Sequence, residues 1–182
     1  MGSKLIKFSV QAFPKSRVIG KTVVMKEPAD TEDHSIEDLW ERVRKDGSLD
    51  FLFSLPHRSA KQHDAAGWMG DFQPGEDHYT YLACVLFEGD APVPEGYVYR
   101  DIAACEIAYA WIQDTEGSEG GEMHANASGH INQAMAEHGY QYDGSNGFFE
   151  IEYYSEERFY KALERGENVI LDFYSPCKKV AS

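Results

Sequence analysis

Cysteine is scarce in this chain: Cys84, Cys105 and Cys177 are the only three in 182 residues. An odd count at wide spacing excludes a disulfide framework and suits free thiols in a reducing compartment. No apolar run near the N-terminus follows a basic stretch, and none approaches the length of a membrane span. Neither a signal peptide nor a transmembrane helix is expected. Met1-Gly2-Ser3-Lys4-Leu5-Ile6 also lacks the hydroxyl residue that a myristoylation signal carries at its sixth position. The expected setting is cytoplasmic, without membrane contact. Positive charge is scarce too: 17 Lys and Arg stand against 31 Asp and Glu, a formal charge of −14. Each phosphate contact needs a cation, so nucleic acid is excluded as a partner. The seven histidines include no i, i+4 pair on a helix, and there is no Cys-x-x-Cys, so no metal site is expected. Acids interrupt the glycines at 117–121, which removes a phosphate cradle and leaves no cofactor in view.

What the chain does hold is enough apolar residue for one buried core. Its acids cluster at 27–38, 116–122 and 156–167, where hydration is their ordinary role. A cationic ligand would instead require an acid inside the fold. Alternating apolar residues predict strands at 4–13 and 18–25. Ser35 reads as a helix N-cap, with Ile36, Leu39, Trp40 and Val43 forming one apolar stripe and Gly47 as the stop. A short apolar run at 49–55 ends at Pro56, and extended runs follow at 67–73 and 79–87. After Pro92, Pro94 and Gly96 the order returns. A strand is predicted at 102–112, a glycine- and acid-rich loop at 116–122, and a helix at 127–138 that Gly139 ends. Strands at 148–154 and 169–174 flank a short helix at 156–165 that Ser155 caps. The expected architecture is a single α+β domain over 1–182. Two pseudo-symmetric β-α-β-β halves, about 4–90 and 97–177 with their connection at 88–96, form a largely antiparallel sheet. Helices are expected on one face of that sheet and a ligand groove on the other.

The stretch Phe148-Phe149-Glu150-Ile151-Glu152-Tyr153-Tyr154 carries the chemistry. Alternation puts Phe149, Ile151 and Tyr153 on one face and Phe148, Glu150, Glu152 and Tyr154 on the other. The last strand divides the same way, with Ile170, Asp172 and Tyr174 opposite Val169, Leu171 and Phe173. Antiparallel pairing of the two would join the Glu152 and Asp172 sides into one surface of acids and tyrosines. Such a surface could simply be hydrated, but exposed aromatic patches usually mark binding. A carboxylate between aromatic walls suits an organic cation, and partial burial would equally suit it to general-base work. Tyr79, Tyr81, Tyr109, Trp111 and Trp68 are further candidates for the groove, each with core packing as its alternative.

With these elements in hand, the chain resembles the GyrI-like effector-binding family, the ligand-sensing domain of many AraC- and MerR-type multidrug regulators in bacteria. The likeness runs from Arg17-Val18-Ile19-Gly20 to the closing Val169-Ile170-Leu171-Asp172-Phe173-Tyr174-Ser175-Pro176. The family's buried glutamate lies in a hydrophobic-Glu-x-Tyr strand, which Ile151-Glu152-Tyr153-Tyr154 matches, and Pro176 stands 24 residues beyond Glu152. The resemblance therefore implies Glu152 as the ligand-facing carboxylate, with Glu150 as the other candidate on its face. It also implies Tyr81, in Thr80-Tyr81-Leu82-Ala83-Cys84-Val85, as a groove residue. Relatives often carry Glu where this chain has Asp172. No basic helical segment precedes the first strand, so a stand-alone module is expected rather than a DNA-binding regulator. Its implied function is capture of planar, hydrophobic or cationic compounds. The alternative is hydrolysis of cyclopropane-bearing alkylators, with Glu152 as base and Asp172, Tyr154 and Trp111 placing water and ligand. A third reading is binding of a protein target by acidic mimicry.

Overall fold

The computed structural model describes residues 2–28, 30, 32–114 and 121–182. Nine strands and four helices follow in the order β1 (Ser3–Phe13), β2 (Ser16–Lys26), α1 (Ser35–Lys45), α2 (Ser48–Ser54), β3 (Ala65–Gly70), β4 (His78–Glu88), β5 (Val98–Ile102), β6 (Cys105–Asp114), α3 (Gly121–Glu137), β7 (Tyr140–Tyr142), β8 (Phe148–Tyr154), α4 (Ala162–Glu164) and β9 (Ile170–Lys179). The expected α+β class holds. One antiparallel sheet runs β1-β6-β9-β8-β3-β4-β2-β5, and β7 pairs with the end of β9. Its centre is the β3–β8 pair, where the two halves meet. On one side of that junction lie β4 and β2, and on the other β9 and β6, each half with its own helix.

The edges are where the linear order misleads. β1 pairs with β6 of the second half, and β5 pairs with β2 of the first. Each half is thus completed by a strand from beyond the expected boundary. The strand predicted at 102–112 is for this reason two strands, broken at the exposed Ala103 and Ala104. β1 and β2 are joined by only Pro14 and Lys15, yet sit near opposite ends of the sheet. The sheet must therefore curl, and its helix-free face closes on itself. Phe13, Val18, Trp68, Leu82, Ile107, Phe148 and Ile151 form an apolar core there, built from strands alone. This corrects the expectation of a groove on the face away from the helices.

The helices cover the other face. α1 buries Leu39, Trp40 and Val43, with Glu37 and Asp38 in its first turn and Arg42, Arg44 and Lys45 in its last, as the helix dipole favours. Its cap differs from expectation: the Asp33 carboxylate accepts the Ser35 backbone N–H at 2.9 Å. Gly47 ends α1 at φ +79° and lets the chain turn straight into α2. The apolar run at 49–55 is that helix, because Leu49, Leu52 and Phe53 recur at helical spacing and are all buried. The loop expected at 116–122 lies outside the described residues except for its last two positions, which begin α3. That helix starts earlier than predicted and buries Met123, Ala127, Ile131 and Met135. Ser155 does cap its segment, accepting the Arg158 N–H at 3.3 Å, although the turn it opens (Glu156–Lys161) is π-helical.

Candidate functional site

Glu152 lies at the middle of β8, opposite Gly67 of β3 and Phe173 of β9. It is buried, on the helix-covered face, and its two oxygens have separate partners. Oε1 is 2.7 Å from Nδ1 of His124 on α3. Oε2 accepts the hydroxyls of Tyr81 at 3.2 Å and Tyr154 at 3.0 Å. The Tyr81 hydroxyl in turn accepts the Trp40 indole N–H from α1 at 2.9 Å. Gly67 makes this chain possible. A Cβ there would lie 2.1 Å from the Tyr81 hydroxyl oxygen and 3.1 Å from Glu152 Oε2, so any larger residue would displace the network.

Over this carboxylate opens a cavity of about 460 Å³ between α1 and α3. Its walls include Met25, Met69, Tyr79 and Ile36, and Asp30, Asp33 and Glu37 add acid on the α1 side. The volume falls in the range of small-molecule sites. Burial pushes the Glu152 pKa up, but the charge and hydrogen bond of His124, with the two tyrosine hydroxyls, outweigh it and hold the carboxyl below its ordinary value. For His124 burial pulls down, while Glu152, and more weakly Glu150 and Glu37, raise it above the usual imidazole value. Both shifts favour the charged pair, carboxylate with imidazolium, facing an aromatic cavity.

Of the residues picked from sequence, Glu152, Tyr154, Tyr81 and Tyr79 come together here. Glu150 is a neighbour rather than a member: it lines a smaller cavity of about 240 Å³ under α3 with Phe149, Tyr142 and Ser175. Burial and the nearby Glu152 push its pKa up to about 8. Phe148 is on the opposite side because of a bulge. Gly70 pairs with Phe148 and Met69 with Glu150, so Phe149 is the extra residue, and the alternation expected across 148–150 is broken. Phe148 instead lies beside Trp68 in the strand-only core, with ring centroids 6.4 Å apart.

Asp172 requires the largest correction. β8 and β9 pair so that Tyr153 opposes Asp172 and Ile151 opposes Tyr174, while Glu152 opposes Phe173. Opposed residues share a face, so Asp172 and Tyr174 lie on the side of the sheet away from Glu152. There Arg158 holds Asp172 by two hydrogen bonds, Nε to Oδ1 at 3.0 Å and Nη2 to Oδ2 at 2.5 Å. Trp111 is flanked by Arg158 at 4.4 Å and Lys7 at 4.2 Å. Tyr109 and Tyr174 pack at 4.5 Å on the same side. The joint surface of acids and tyrosines expected from both strands does not form.

Sequence reasoning missed His124 and saw Trp40 only as core. A signal for His124 was present: counting back from Ala127 and Ile131 by three and seven puts it beside the buried stripe of α3. Burial raises the thiols of Cys84, Cys105 and Cys177, the last to about 11, and Cys177 is buried in β9. Among the described residues no cluster of His, Cys, Asp and Glu could hold a metal ion, and no helix is long and apolar enough to cross a membrane.

Residues 10–176 match the model of the Cass2 family, described as integron-associated effector binding protein. The chain belongs to this Cass2 family. Solved structures share its fold. An integron cassette protein from the mobile metagenome of Vibrio cholerae superposes with a TM-score of 0.58 at 12% identity, covering 97% of this chain and 99% of that one. A Staphylococcus aureus MU50 protein, described as a bacterial transcription regulation protein, superposes with a TM-score of 0.63 at 14% identity, covering 95% and 99%. The protein SAV2435, solved bound to tetraphenylphosphonium, gives 0.63 at 14% identity, covering 95% and 94%. No curated protein matches this Cass2-family chain in sequence. Membership makes it an effector-binding, ligand-binding domain, in keeping with the GyrI-like resemblance.

Proposed function

We propose that this Cass2-family protein captures amphipathic, aromatic organic cations in the cavity between α1 and α3, with Glu152 as their counter-charge. One observation carries the reading: a buried carboxylate, ionised and held by two tyrosines, forms the floor of an aromatic cavity. An ion buried in this way is costly unless it is paired, as His124 pairs it at rest. A lipophilic cation can supply the pairing and gain cation–π contact with the tyrosine walls worth about 0.5–2 kcal/mol each. The likeness to SAV2435, whose structure holds the aromatic cation tetraphenylphosphonium, supports the same class of ligand. The protein acts as a sensor or a sequestering module. Carboxylate-activated hydrolysis draws less support, since the second acid it called on, Asp172, lies across the sheet in the grip of Arg158.

Titration calorimetry with tetraphenylphosphonium and with neutral triphenylphosphine oxide tests the reading. Glu152→Gln should lose at least tenfold in affinity for the cation, about 1.4 kcal/mol, and little for the neutral compound. Equal losses for both would sink the charge-pairing idea.

A further inference from the structure

The proposed ligand is not the only cation able to face Glu152. His124 already does so, from the first turns of α3, with Nδ1 2.7 Å from Oε1 and its ring forming part of the cavity wall. Its side chain is 37% exposed while that of Glu152 is only 12% exposed. The imidazole can therefore leave the pair toward water; the carboxylate cannot. Contact with β9 does not lock it in place either, since the ring meets Phe173 only edge-on at 6.3 Å.

We infer that His124 is a specificity-determining residue: its imidazolium is a built-in competitor for Glu152, and an organic cation enters by replacing it. The inference rests on the cation-capture reading and deepens it. The exchange balances in charge and protons. Before entry the pair is Glu152 carboxylate with His124 imidazolium. After entry the carboxylate faces the ligand cation, and the imidazole, parted from its partner and beside a new positive charge, gives up its proton to solvent. A neutral guest leaves the imidazolium where it was and releases nothing. Low pH thus closes the cavity to cations and leaves neutral compounds unaffected.

The other groups around His124 define the window. Glu152 and Glu150 face it from β8, and the exposed Glu37 from α1. Asp30 and Asp33 line the cavity ahead of α1, and the hydroxyls of Tyr79, Tyr81 and Tyr154 stay protonated near neutrality because burial raises them. Glu152 titrates below the window. Glu150, at about 8, titrates within or just above it, and its ionisation would also favour a cation. A Glu150→Gln control separates the two.

The test is tetraphenylphosphonium binding to the full chain between pH 6 and 8, by calorimetry in two buffers of different ionisation enthalpy. Affinity should rise with pH by up to tenfold per unit where His124 titrates. Up to one proton should leave per cation bound, and triphenylphosphine oxide should show neither effect. Glu150→Gln should keep the slope. His124→Asn and His124→Gln should abolish it and bind the cation at least tenfold more tightly than the parent at pH 6. A flat profile with no proton released, in a protein whose Glu152→Gln variant still loses the cation, overturns the inference and spares the cation-capture reading. Weaker cation binding by both His124 variants would likewise make the histidine a mere support and overturn it. Failure of the parent to bind the cation at any pH removes the capture reading, and this inference with it.

Discussion

The two faces of the β8–β9 pair carry nearly the same inventory and do different things with it. Each has one buried acid among aromatic rings and one basic partner. On the helix side the acid is Glu152 and the partner His124, with a cavity above them. On the other side the acid is Asp172 and the partner Arg158, wedged against Trp111. The difference lies in the base. A guanidinium stays charged at every pH a protein meets and grips a carboxylate through two parallel N–H donors. An imidazolium holds by one bond and can lose its proton near neutrality. One acid is therefore sealed into the structure, and the other is lent to a partner that can be exchanged. Aromatic residues beside a carboxylate describe both sites; the strength of the counter-ion separates them.

Three changes would break or sharpen this comparison. Arg158→Ala has the largest expected effect, because it strands a carboxylate whose side chain is only 3% exposed. Losing one partner of a buried pair costs about 3 kcal/mol or more. Urea unfolding should show that loss, while cation binding by the folded fraction stays within twofold of the parent. Gly67→Ala comes next. Its added carbon collides with the Tyr81 hydroxyl, and overpacking of this kind costs about 1–3 kcal/mol. Here stability and cation affinity should fall together, since the displaced hydroxyl is a partner of Glu152.

The smallest effect is the pH dependence of the Glu152–His124 pair itself. Glu152 is held below its ordinary pKa, so its share of stability is present above the unfolded-state value and is lost as pH falls through the folded one. His124 is raised, so its share is fully present below the unfolded imidazole value and is lost as pH rises through the folded one. Both contribute between the two ordinary values, roughly pH 4.5 to 6.5. The stability difference between the parent and His124→Asn should be greatest there and shrink above neutrality. Because the imidazole is over a third exposed, it should stay under about 1 kcal/mol. A difference that grew with pH would contradict the pairing.

Much of this was legible in the chain, and the failures share a cause. Glu152, Tyr154 and Tyr81 were found because alternation within one strand, and the hydrophobic-Glu-x-Tyr pattern, are local. Asp172, Tyr174, Tyr109 and Trp111 were assigned to the same surface because periodicity states that a strand has two faces. It does not state which face of one strand meets which face of the next. That parity is set by register, and a one-residue change in pairing inverts it. Phe148 was lost to a single bulged residue, and β1 and β5 to a swap of edges that leaves no mark in the order of elements.

The scarcity of basic residues, the apolar stripes and the turn glycines determined by themselves an acidic α+β chain with an acid on an aromatic strand. These are properties of short windows, where spacing fixes which side chains share a side. Only the tertiary structure decided which acid faces a cavity and which is sealed. It also decided that a histidine 28 positions away serves as the counter-ion of the first. Pairing across strands and helices is long-range, and a one-residue shift of β9 would have brought Asp172 onto the Glu152 face.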